Sequence, residues 1–359
     1  MPVLIDAWMM KAAGGPLARE RREDTAGPGQ VIVKVAGCGL CHTDLGFLYE
    51  GVPTRHALPL TLGHEISGTV VEAGTGAERW LGKAVVVPAV IPCGTCDACT
   101  RGAGGVCPKQ LFPGNDDHGG FASHVKVPAR GLCEVPDLSD RRRNVAGVEL
   151  ADLSVIADAV STPYQAVVHA GLEKGDLAVF VGAGGVGGFG AQIAAARGAA
   201  VVAVEPDAGR RAKIAARGAD LALDPSALDP RALKNAVRAF ADARKIPSWR
   251  WRIFETSGSA AGQTTAWNLL SPGASLGIVG FTTAKVEVRL SNVMAFDATV
   301  RGTWGCLPEH YPAVLDLVLS GAVDVRSFVE RRPLSAVNGA FEDVRAHRTT
   351  QRLVLVPGA

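Results

Sequence analysis

The spacing of apolar and polar residues changes twice along the chain. Residues 31–37 alternate between the two classes, as expected of a strand with one buried face. Further strands are predicted at 65–72, 82–90 and, as a short pair, within 119–136. Over 147–170 the spacing becomes helical. From residue 177 onward, short continuous apolar runs alternate with helical stretches, which is typical of a buried parallel sheet.

The later region separates into individual strands and helices. Strands are predicted at 177–181, 200–204, 253–255, 275–280 and 299–303, with helices from the glycine-rich segment to about 197 and over 260–271. The tail is expected to form a helix at 310–320 and a strand at 352–356. The sequence contains no internal repeat or low-complexity segment. These patterns predict an α/β fold with a doubly wound parallel sheet.

Length and charge limit the classes of function. The 359 residues suggest two domains of about 150 residues each. A formal net charge of +2 argues against a nucleic-acid-binding or polybasic membrane protein. The uncharged stretches 177–196 and 267–284 are broken by glycine or proline, so neither is expected to span a membrane. No secretory leader is recognisable, and a soluble cytoplasmic protein is expected.

Four of the eight cysteines are closely spaced. In a reducing compartment, cysteines favour metal ligation over disulfides. Cys93, Cys96, Cys99 and Cys107 have C-x2-C-x2-C-x7-C spacing, and four thiolates close a tetrahedral structural zinc site. This lobe has few aliphatic residues, so zinc would supply its folding energy. The alternative is that these four are ordinary buried cysteines. Two further cysteines, Cys133 and Cys306, are expected to be buried free thiols.

Three residues far apart in the sequence form a second candidate metal site. Cys41, His64 and Asp158 supply a thiolate, an imidazole and a carboxylate, and three protein ligands leave a fourth zinc position for substrate. Asp158 interrupts the apolar run 155–160, where a carboxylate is costly unless it is paired or bound to a metal. The alternatives are a structural histidine, an aspartate on a helix surface, and a Cys38–Cys41 redox pair.

A glycine-rich turn follows the strand at 177–181. It has GxGxxG spacing, opens a helix and precedes a second strand that ends at Glu205. Such glycines allow close approach to a pyrophosphate at the helix N-terminus, and the acid accepts from the ribose and repels a 2′-phosphate. NAD is therefore favoured, although Arg210 and Arg211 just beyond keep NADP open. The predicted cofactor contacts here are Gly182, Gly184, Gly185, Val186, Gly187, Glu205 and Arg210.

On these motifs the chain resembles the zinc-dependent medium-chain alcohol dehydrogenases over nearly its whole length. The segments that carry the resemblance are Cys41-His42-Thr43-Asp44, Gly63-His64-Glu65, the four-cysteine lobe and the glycine-rich turn. It implies an NAD-dependent oxidoreductase that acts on CH–OH groups and holds one catalytic and one structural zinc ion, the known arrangement of alcohol dehydrogenase. It also implies a GroES-like, mainly-β catalytic domain over 1–159 and 305–359, with the zinc lobe at about 93–107, and a Rossmann domain over 160–304.

The resemblance also implies roles for individual residues. Cys41 and His64 match catalytic zinc ligands, and Asp158 falls where many members have a second cysteine. Near the zinc, Thr43 matches the hydroxyl that takes the alcohol proton, Glu65 matches a carboxylate that can approach the zinc, and Asp44 matches the partner that orients His64. For the cofactor, His42 and Arg352 match contacts to its phosphates, and Val279 and Gly280 match residues of the nicotinamide pocket. Members with a complete proton relay carry histidine where this chain has Gly46, so His56 or water would finish the relay.

A narrower resemblance concerns the substrate. Segments 5–10, 87–93, 112–115 and 157–166 are similar to the branch that oxidises 6-hydroxycyclohex-1-ene-1-carbonyl-CoA to the 6-oxo compound in anaerobic aromatic-acid degradation. This implies a secondary allylic alcohol on an acyl-CoA, whose phosphates would contact Lys109, Arg141, Arg142 and Arg143; hydration by the same zinc centre is a further hypothesis.

Other functions stay open at this point. They are oxidation of free primary, benzylic or polyol alcohols or of a formaldehyde adduct, a zinc-dependent structural or nucleic-acid-binding role, and a zinc-free quinone reductase activity. The expected partner is a small-molecule substrate, with no nucleic acid and no membrane. Because the family commonly forms dimers or tetramers, a homodimer or homotetramer is expected.

Overall fold

A computed structural model describes residues 2–358. Contacts within the chain divide it into two compact units. Among the described residues, the first unit comprises 2–161, 305–321 and 325–358, and the second comprises Thr162–Trp304 and Ala322–Asp324.

The first part of the chain consists mainly of strands. They are β1 (Val3–Met10), β2 (Ala18–Asp24), β3 (Gln30–Gly39), β4 (Leu60–Thr61), β5 (Glu65–Ala73), β6 (Ala84–Val87), β7 (His124–Pro128) and β8 (Cys133–Glu134). The helices α1 (His42–Tyr49) and α2 (Asp97–Thr100) are short, and 3-10 turns lie at Glu78–Trp80, Gly104–Val106 and Asp152–Ala157.

Strands and helices alternate in the middle of the chain. The strands are β9 (Leu177–Val181), β10 (Ala200–Val204), β11 (Leu221–Leu223), β12 (Trp251–Glu255), β13 (Ser275–Ile278) and β14 (Thr299–Gly302). The helices are α3 (Ser161–His169), α4 (Gly185–Ala196), α5 (Ala208–Ala215), α6 (Pro230–Ala243), α7 (Ala260–Leu269) and α8 (Ser291–Ala295), with a 3-10 turn at Ser248–Arg250.

The tail returns almost entirely to the first unit. It contains α9 (Tyr311–Leu319), α10 (Val337–Arg345), β15 (Val329–Pro333) and β16 (Arg352–Val356), with 3-10 turns at Pro308–His310, Arg326–Phe328 and Leu334–Ala336.

Strand β3 organises the first unit. The largest sheet has the order β15-β16-β3-β5-β6-β8, with β7 also paired to β3, and a smaller sheet has the order β2-β1-β4. Val31, Val33 and Val35 on β3 belong to the hydrophobic core of this unit. In the antiparallel β3–β5 pair, Gly39 lies opposite Glu65. This register places the end of β3 beside the start of β5.

The second unit is built on a parallel sheet with the order β11-β10-β9-β12-β13-β14. All five residues of β9 are buried, which explains its continuous apolar sequence. The chain runs outward from β9 to β11 and then resumes at β12 on the other side of β9. The strand order therefore reverses between β9 and β12, and the carboxyl ends of strands at such a point form the usual ligand-binding crevice. The predicted doubly wound sheet is confirmed.

One predicted element is wrong in detail. The helical spacing over 147–170 corresponds to the turn Asp152–Ala157 and to α3, with a break at Asp158. Asp158 has φ −143° and ψ −62°, outside the helical region, so it lies in neither helix. Cys133 and Cys306 are buried and free, as predicted. Within residues 2–358, no helix has the length and apolar character needed to cross a membrane.

Candidate functional site

The first two predicted metal ligands follow from the pairing of β3 with β5. A Cβ atom at Gly39 would lie 1.9 Å from Glu65 Oε2, so the close approach of the strands requires glycine. Cys41 lies just beyond, with an extended backbone at the N-terminus of α1. His64 immediately precedes β5. Cys41 and His64 therefore lie at the same end of the sheet.

Asp44 connects these two residues. Its Oδ2 accepts the Cys41 N–H at 2.9 Å, and its Oδ1 accepts the Gly63 N–H at 3.1 Å. The same Oδ1 lies 3.4 Å from His64 Nδ1, which is longer than an ordinary hydrogen bond. Asp44 is completely buried. Asp44 therefore lies beside His64, as expected of a residue predicted to orient it.

His64 is enclosed by the protein. Its side chain is 1% exposed, and its ring centroid lies 4.7 Å from that of Phe112. Neither ring nitrogen has a hydrogen-bond partner of ordinary geometry in the described part of the chain. A buried polar atom without such a partner is costly, and ligation of a cation by Nε2 would offset that cost.

Asp158 completes the cluster. Its Oδ2 lies 3.6 Å from Cys41 Sγ and 3.6 Å from His64 Nε2. Tetrahedral zinc with ligands at about 2.0–2.3 Å requires donor atoms about 3.3–3.8 Å apart. The ligand atoms of Cys41, His64, Glu65 and Asp158 all lie within 4.8 Å of one another. The structure thus brings the three predicted ligands together, and their chemistry and spacing fit a zinc ion.

Glu65 has a second partner besides the cluster. Arg352 Nε donates to Glu65 Oε2 at 3.1 Å, and Arg352 Nη2 donates to Oε1. The Ala159 N–H also donates to Oε1, at 3.1 Å. A cofactor phosphate is predicted for Arg352, and that role stays a prediction. Within the first unit, its guanidinium compensates a carboxylate that is 0% exposed.

The cluster is strongly anionic. Burial alone would lower the pKa of His64, but Asp44, Asp158 and Cys41 outweigh it and raise the pKa well above the usual value. Burial raises the pKa of Glu65, Arg352 opposes that shift, and Asp158 adds to it. Such surroundings favour a positive charge among these side chains, either as a proton or as a divalent cation.

The four-cysteine lobe forms a second, separate cluster. Its sulfur separations are 3.5 Å for Cys96–Cys99, 3.6 Å for Cys96–Cys107 and 3.9 Å for Cys93–Cys99. Four thiolates at about 2.3 Å from zinc lie about 3.8 Å apart, so this lobe also fits the ion. Hydrogen bonds from Thr95 lower the pKa of Cys93 to about 5, and burial raises the pKa of Cys99 to about 12.

The glycine-rich turn lies at the reversal of the parallel sheet. Gly182 has φ +92°, and a Cβ atom there would lie 2.6 Å from the Ser257 Cα. A Cβ atom on Gly187 would lie 1.8 Å from Gly182 O, whereas one on Gly184 would meet nothing within 4 Å. Gly182 and Gly187 are therefore needed for packing, and Gly184 leaves the backbone open to a ligand. Gly185 and Val186 begin α4, where helix N–H groups attract phosphate.

Glu205 follows β10 beside this turn. It is 3% exposed; its Oε2 accepts the Ala183 N–H at 2.7 Å, and its Oε1 accepts the Asp207 N–H at 3.0 Å. Arg210 Nη1 lies 3.9 Å from Glu205 Oε1. A carboxylate thus stands at the site predicted for ribose recognition, with a guanidinium close by.

Other predicted residues are located as follows. Thr43 Oγ1 lies 3.6 Å from Cys41 Sγ, and His42 is the first residue of α1. The N–H groups of Val279 and Gly280 both donate to Glu255 O, in the second unit. His56 Nδ1 lies 2.5 Å from Ala57 O. Cys38 is not among the grouped ligands, and its thiol donates to Gly39 O at 3.7 Å.

Three contacts around the first cluster were not predicted from the sequence, although Arg352 itself was predicted as a cofactor-phosphate residue. Phe112 packs on His64, Arg352 pairs with Glu65, and Tyr311 donates to the carbonyl that precedes Asp158. The available signal for Arg352 was its position as the first residue of the otherwise apolar strand β16. The other two are ordinary aromatic residues in sequence, and their positions depend on tertiary structure.

Taken separately, the two units have the features of a dehydrogenase that uses a metal ion and a dinucleotide. Family models support this class: the alcohol dehydrogenase GroES-like domain matches residues 27–137, and the zinc-binding dehydrogenase model matches residues 185–320. An alcohol dehydrogenase of Geobacillus stearothermophilus is 30% identical over 330 residues, covering 91% of each chain. An L-threonine 3-dehydrogenase of Pyrococcus furiosus is 30% identical over 332 residues, covering 90% of each.

Solved structures agree. The crystal structure of the alcohol dehydrogenase from Aeropyrum pernix has a TM-score of 0.84 and 27% identity, covering 98% of this chain and 100% of that one. The chain belongs to the zinc-dependent medium-chain alcohol dehydrogenase family. It is an oxidoreductase that acts on CH–OH groups, with a GroES-like part and a Rossmann-like parallel sheet.

Proposed function

We propose that the chain oxidises an alcohol to a carbonyl compound with NAD⁺, using a zinc ion held by Cys41, His64 and Asp158. The observation that carries this proposal is the position of Asp158 Oδ2, 3.6 Å from both Cys41 Sγ and His64 Nε2. When bound, zinc supplies Lewis acidity toward the alcohol oxygen. A steady-state assay of NADH formation with the zinc-loaded protein tests the activity, and no turnover of any alcohol would contradict it.

The roles of the surrounding side chains follow from their contacts. Asp44 holds the Cys41 and Gly63 N–H groups, and so orients both neighbouring ligands. Thr43 takes the substrate proton through its hydroxyl, which lies 3.6 Å from Cys41 Sγ. Because His56 Nδ1 is engaged by Ala57 O and Gly46 offers no side chain, we assign the end of the relay to water. Glu65 would be the carboxylate beside the metal, because its oxygen lies within 4.8 Å of the ligand atoms of Cys41, His64 and Asp158.

The predicted Rossmann domain over residues 160–304, nearly all of which belongs to the second unit, would hold the dinucleotide. Gly184, Gly185 and Val186 would meet the pyrophosphate through their backbone, and Val279 and Gly280 would line the nicotinamide pocket. His42 and Arg352 are assigned to cofactor phosphates. Glu205, with its two oxygens held by backbone N–H groups, supports NAD over NADP. Comparison of kcat/KM for NAD⁺ and NADP⁺ tests this preference.

For the substrate, we propose the CoA ester of a cyclic secondary allylic alcohol, 6-hydroxycyclohex-1-ene-1-carbonyl-CoA. The support is the similarity of the four segments 5–10, 87–93, 112–115 and 157–166, together with Arg141, Arg142 and Arg143, whose exposed side chains suit phosphate groups. The test is the KM of the acyl-CoA for a variant with all three arginines changed to alanine. An unchanged KM would contradict the assignment.

A free alcohol is the second candidate substrate. It is favoured by the relatives, which are named alcohol dehydrogenase and L-threonine 3-dehydrogenase. Rates of NADH formation with the acyl-CoA, with benzylic and primary alcohols and with polyols distinguish the two candidates. A higher kcat/KM for a free alcohol would replace the CoA-ester assignment without affecting the zinc centre.

We further propose that two copies associate through β14. This strand is at the edge of the parallel sheet, and all four of its residues are exposed. Exposed apolar side chains, Leu290 at 73% and Met294 at 77%, lie at the preceding helix. An uncapped edge with apolar neighbours suits pairing with its own copy about a two-fold axis. Light scattering of the wild type and of a Val300→Pro variant tests the association.

A further inference from the structure

A buried tyrosine holds the chain next to the third metal ligand. Tyr311 is the first residue of α9 and is 0% exposed. Its hydroxyl donates to Ala157 O at 2.5 Å, across 154 positions of sequence. The Ala89 N–H lies 3.3 Å from Tyr311 Oη and 3.3 Å from Ala157 O. Two donors from separate elements therefore converge on the carbonyl that precedes Asp158.

The geometry of the peptide group makes this contact important for Asp158. The carbonyl of Ala157 and the amide nitrogen of Asp158 belong to one rigid plane. Fixing the oxygen of Ala157 therefore fixes the orientation of the backbone that enters Asp158. On the far side, the Ala159 N–H donates to Glu65 Oε1 at 3.1 Å and fixes the next plane.

Between the two planes, Asp158 has φ −143° and ψ −62°, a conformation outside the helical region. Its carboxylate nevertheless reaches both Cys41 Sγ and His64 Nε2 at 3.6 Å. The two flanking planes together fix the direction of the Asp158 Cα–Cβ bond, from which this short side chain extends. One plane is controlled by Glu65, which also contacts the cluster, and the other is controlled by Tyr311, which supplies no metal ligand.

We propose that Tyr311 is a positioning residue for the catalytic metal centre, and that its hydroxyl sets the direction of the Asp158 carboxylate. The inference rests on the proposed zinc centre. Residues that orient metal ligands from behind commonly change metal affinity ten- to a hundredfold when they are altered. Tyr311→Phe keeps the ring in the core and removes the hydroxyl alone, leaving Ala157 O with the weaker Ala89 donor.

The test uses the full chain and compares its two metal sites. Zinc is removed stepwise by a chromophoric chelator from the wild type, from Tyr311→Phe and from Ser320→Ala. Ser320 lies at the other end of α9, and its hydroxyl donates to Leu317 O at 3.1 Å, so it is a matched loss of one hydroxyl-to-carbonyl bond. We expect Tyr311→Phe to lower the affinity for one zinc ion ten- to a hundredfold and to leave the affinity of the four-cysteine site unchanged. Ser320→Ala should resemble the wild type.

Each other outcome has a definite meaning. If the wild type binds only the four-cysteine zinc ion, the proposed catalytic centre fails. If the wild type binds two ions and Tyr311→Phe holds both as tightly, the role of Tyr311 is overturned. Equal weakening of both ions would show a general effect on folding and would overturn it as well.

Cobalt substitution supplies a second reading. The visible d–d bands of Co²⁺ depend on the arrangement of its ligands, so a turned carboxylate should shift the bands of the catalytic ion. The thiolate-to-cobalt bands of the four-cysteine lobe should stay in place. Identical spectra for the wild type and Tyr311→Phe at full cobalt loading would contradict the proposal.

Discussion

Arg352 and Glu65, 287 positions apart, form a buried ion pair at the edge of the metal cluster. Arg352 Nε donates to Glu65 Oε2 at 3.1 Å, and the carboxylate is fully buried. Removing one member of such a pair leaves an uncompensated charge, which costs about 3–5 kcal/mol. We expect Arg352→Leu to lower the free energy of unfolding of the first unit by that amount, as measured in urea.

The double variant Glu65→Gln/Arg352→Leu is the matched control. It removes both charges, so we expect it to recover part of the stability lost in Arg352→Leu. A single variant as stable as the wild type, or a double variant whose loss equals the sum of the two single losses, would contradict the pairing.

The four-cysteine lobe should depend on metal for its folding. Cys99→Ser replaces one thiolate, so we expect the loss of about one zinc ion per chain and rapid proteolysis near residues 93–107. Cys133→Ala, a buried free thiol outside both clusters, is the control and should keep its zinc content. Full zinc occupancy in Cys99→Ser would show that the lobe does not need all four sulfurs.

The stability of the first unit should depend on the ionisation of His118. Burial, assisted by Arg22, lowers the pKa of His118 from 6.5 to about 4, and its Nδ1 accepts the Thr61 N–H at 3.2 Å. The unfolded chain therefore takes up this proton first as pH falls. The contribution of His118 to the free energy of unfolding should be fully present above about pH 6.5, and it should be lost as the pH falls from there through about 4.

His118→Gln keeps an acceptor but cannot titrate in this range. The His118 side chain is partly exposed, which limits the effect. We expect the variant to lose roughly 1 kcal/mol less free energy of unfolding on acidification than the wild type does. Urea unfolding at pH 7.5 and 5 measures the difference. The account of His118 fails if the wild type and the variant have the same pH slope.

Cofactor choice should depend on Glu205. Glu205→Gln keeps acceptors for ribose but loses the charge that repels a 2′-phosphate. We expect kcat/KM for NADP⁺ to rise at least tenfold relative to NAD⁺, because removing one unfavourable charge contact is worth about 1–2 kcal/mol. Arg210→Ala should move the ratio in the opposite direction. An unchanged ratio in both variants would show that neither residue meets the ribose.

Local sequence patterns predicted the parts of the fold that depend on neighbouring residues. The continuous apolar runs identified β9 and β10, and the cysteine and glycine spacings identified the lobe and the turn. The pairing of β1 with β2 was not predicted. Six of the seven residues of Ala18–Asp24 are charged, so the segment has no alternation of apolar and polar residues. Its strand form comes from pairing with β1, which local pattern does not encode.

The candidate site shows the same division. Asp158 was identifiable because a carboxylate in an apolar run is costly unless it is paired or bound to a metal, and Cys41 and His64 were identifiable as zinc donors at positions that match the family. The helix expected around Asp158 was wrong, since apolar spacing does not distinguish a continuous helix from two short ones with a break. Tyr311 donates to the carbonyl that precedes the break, a contact between residues 154 positions apart that local sequence does not reveal.

The most direct test of the central claim is the zinc content of Asp158→Ala, measured by elemental analysis on the purified full chain alongside NADH formation. Asp242→Ala, an acidic residue on the exposed side of α6, is the control. The shared-ion account predicts two zinc ions per chain in the wild type and in Asp242→Ala, and one in Asp158→Ala, with turnover lost. Two zinc ions and normal turnover in Asp158→Ala would contradict it.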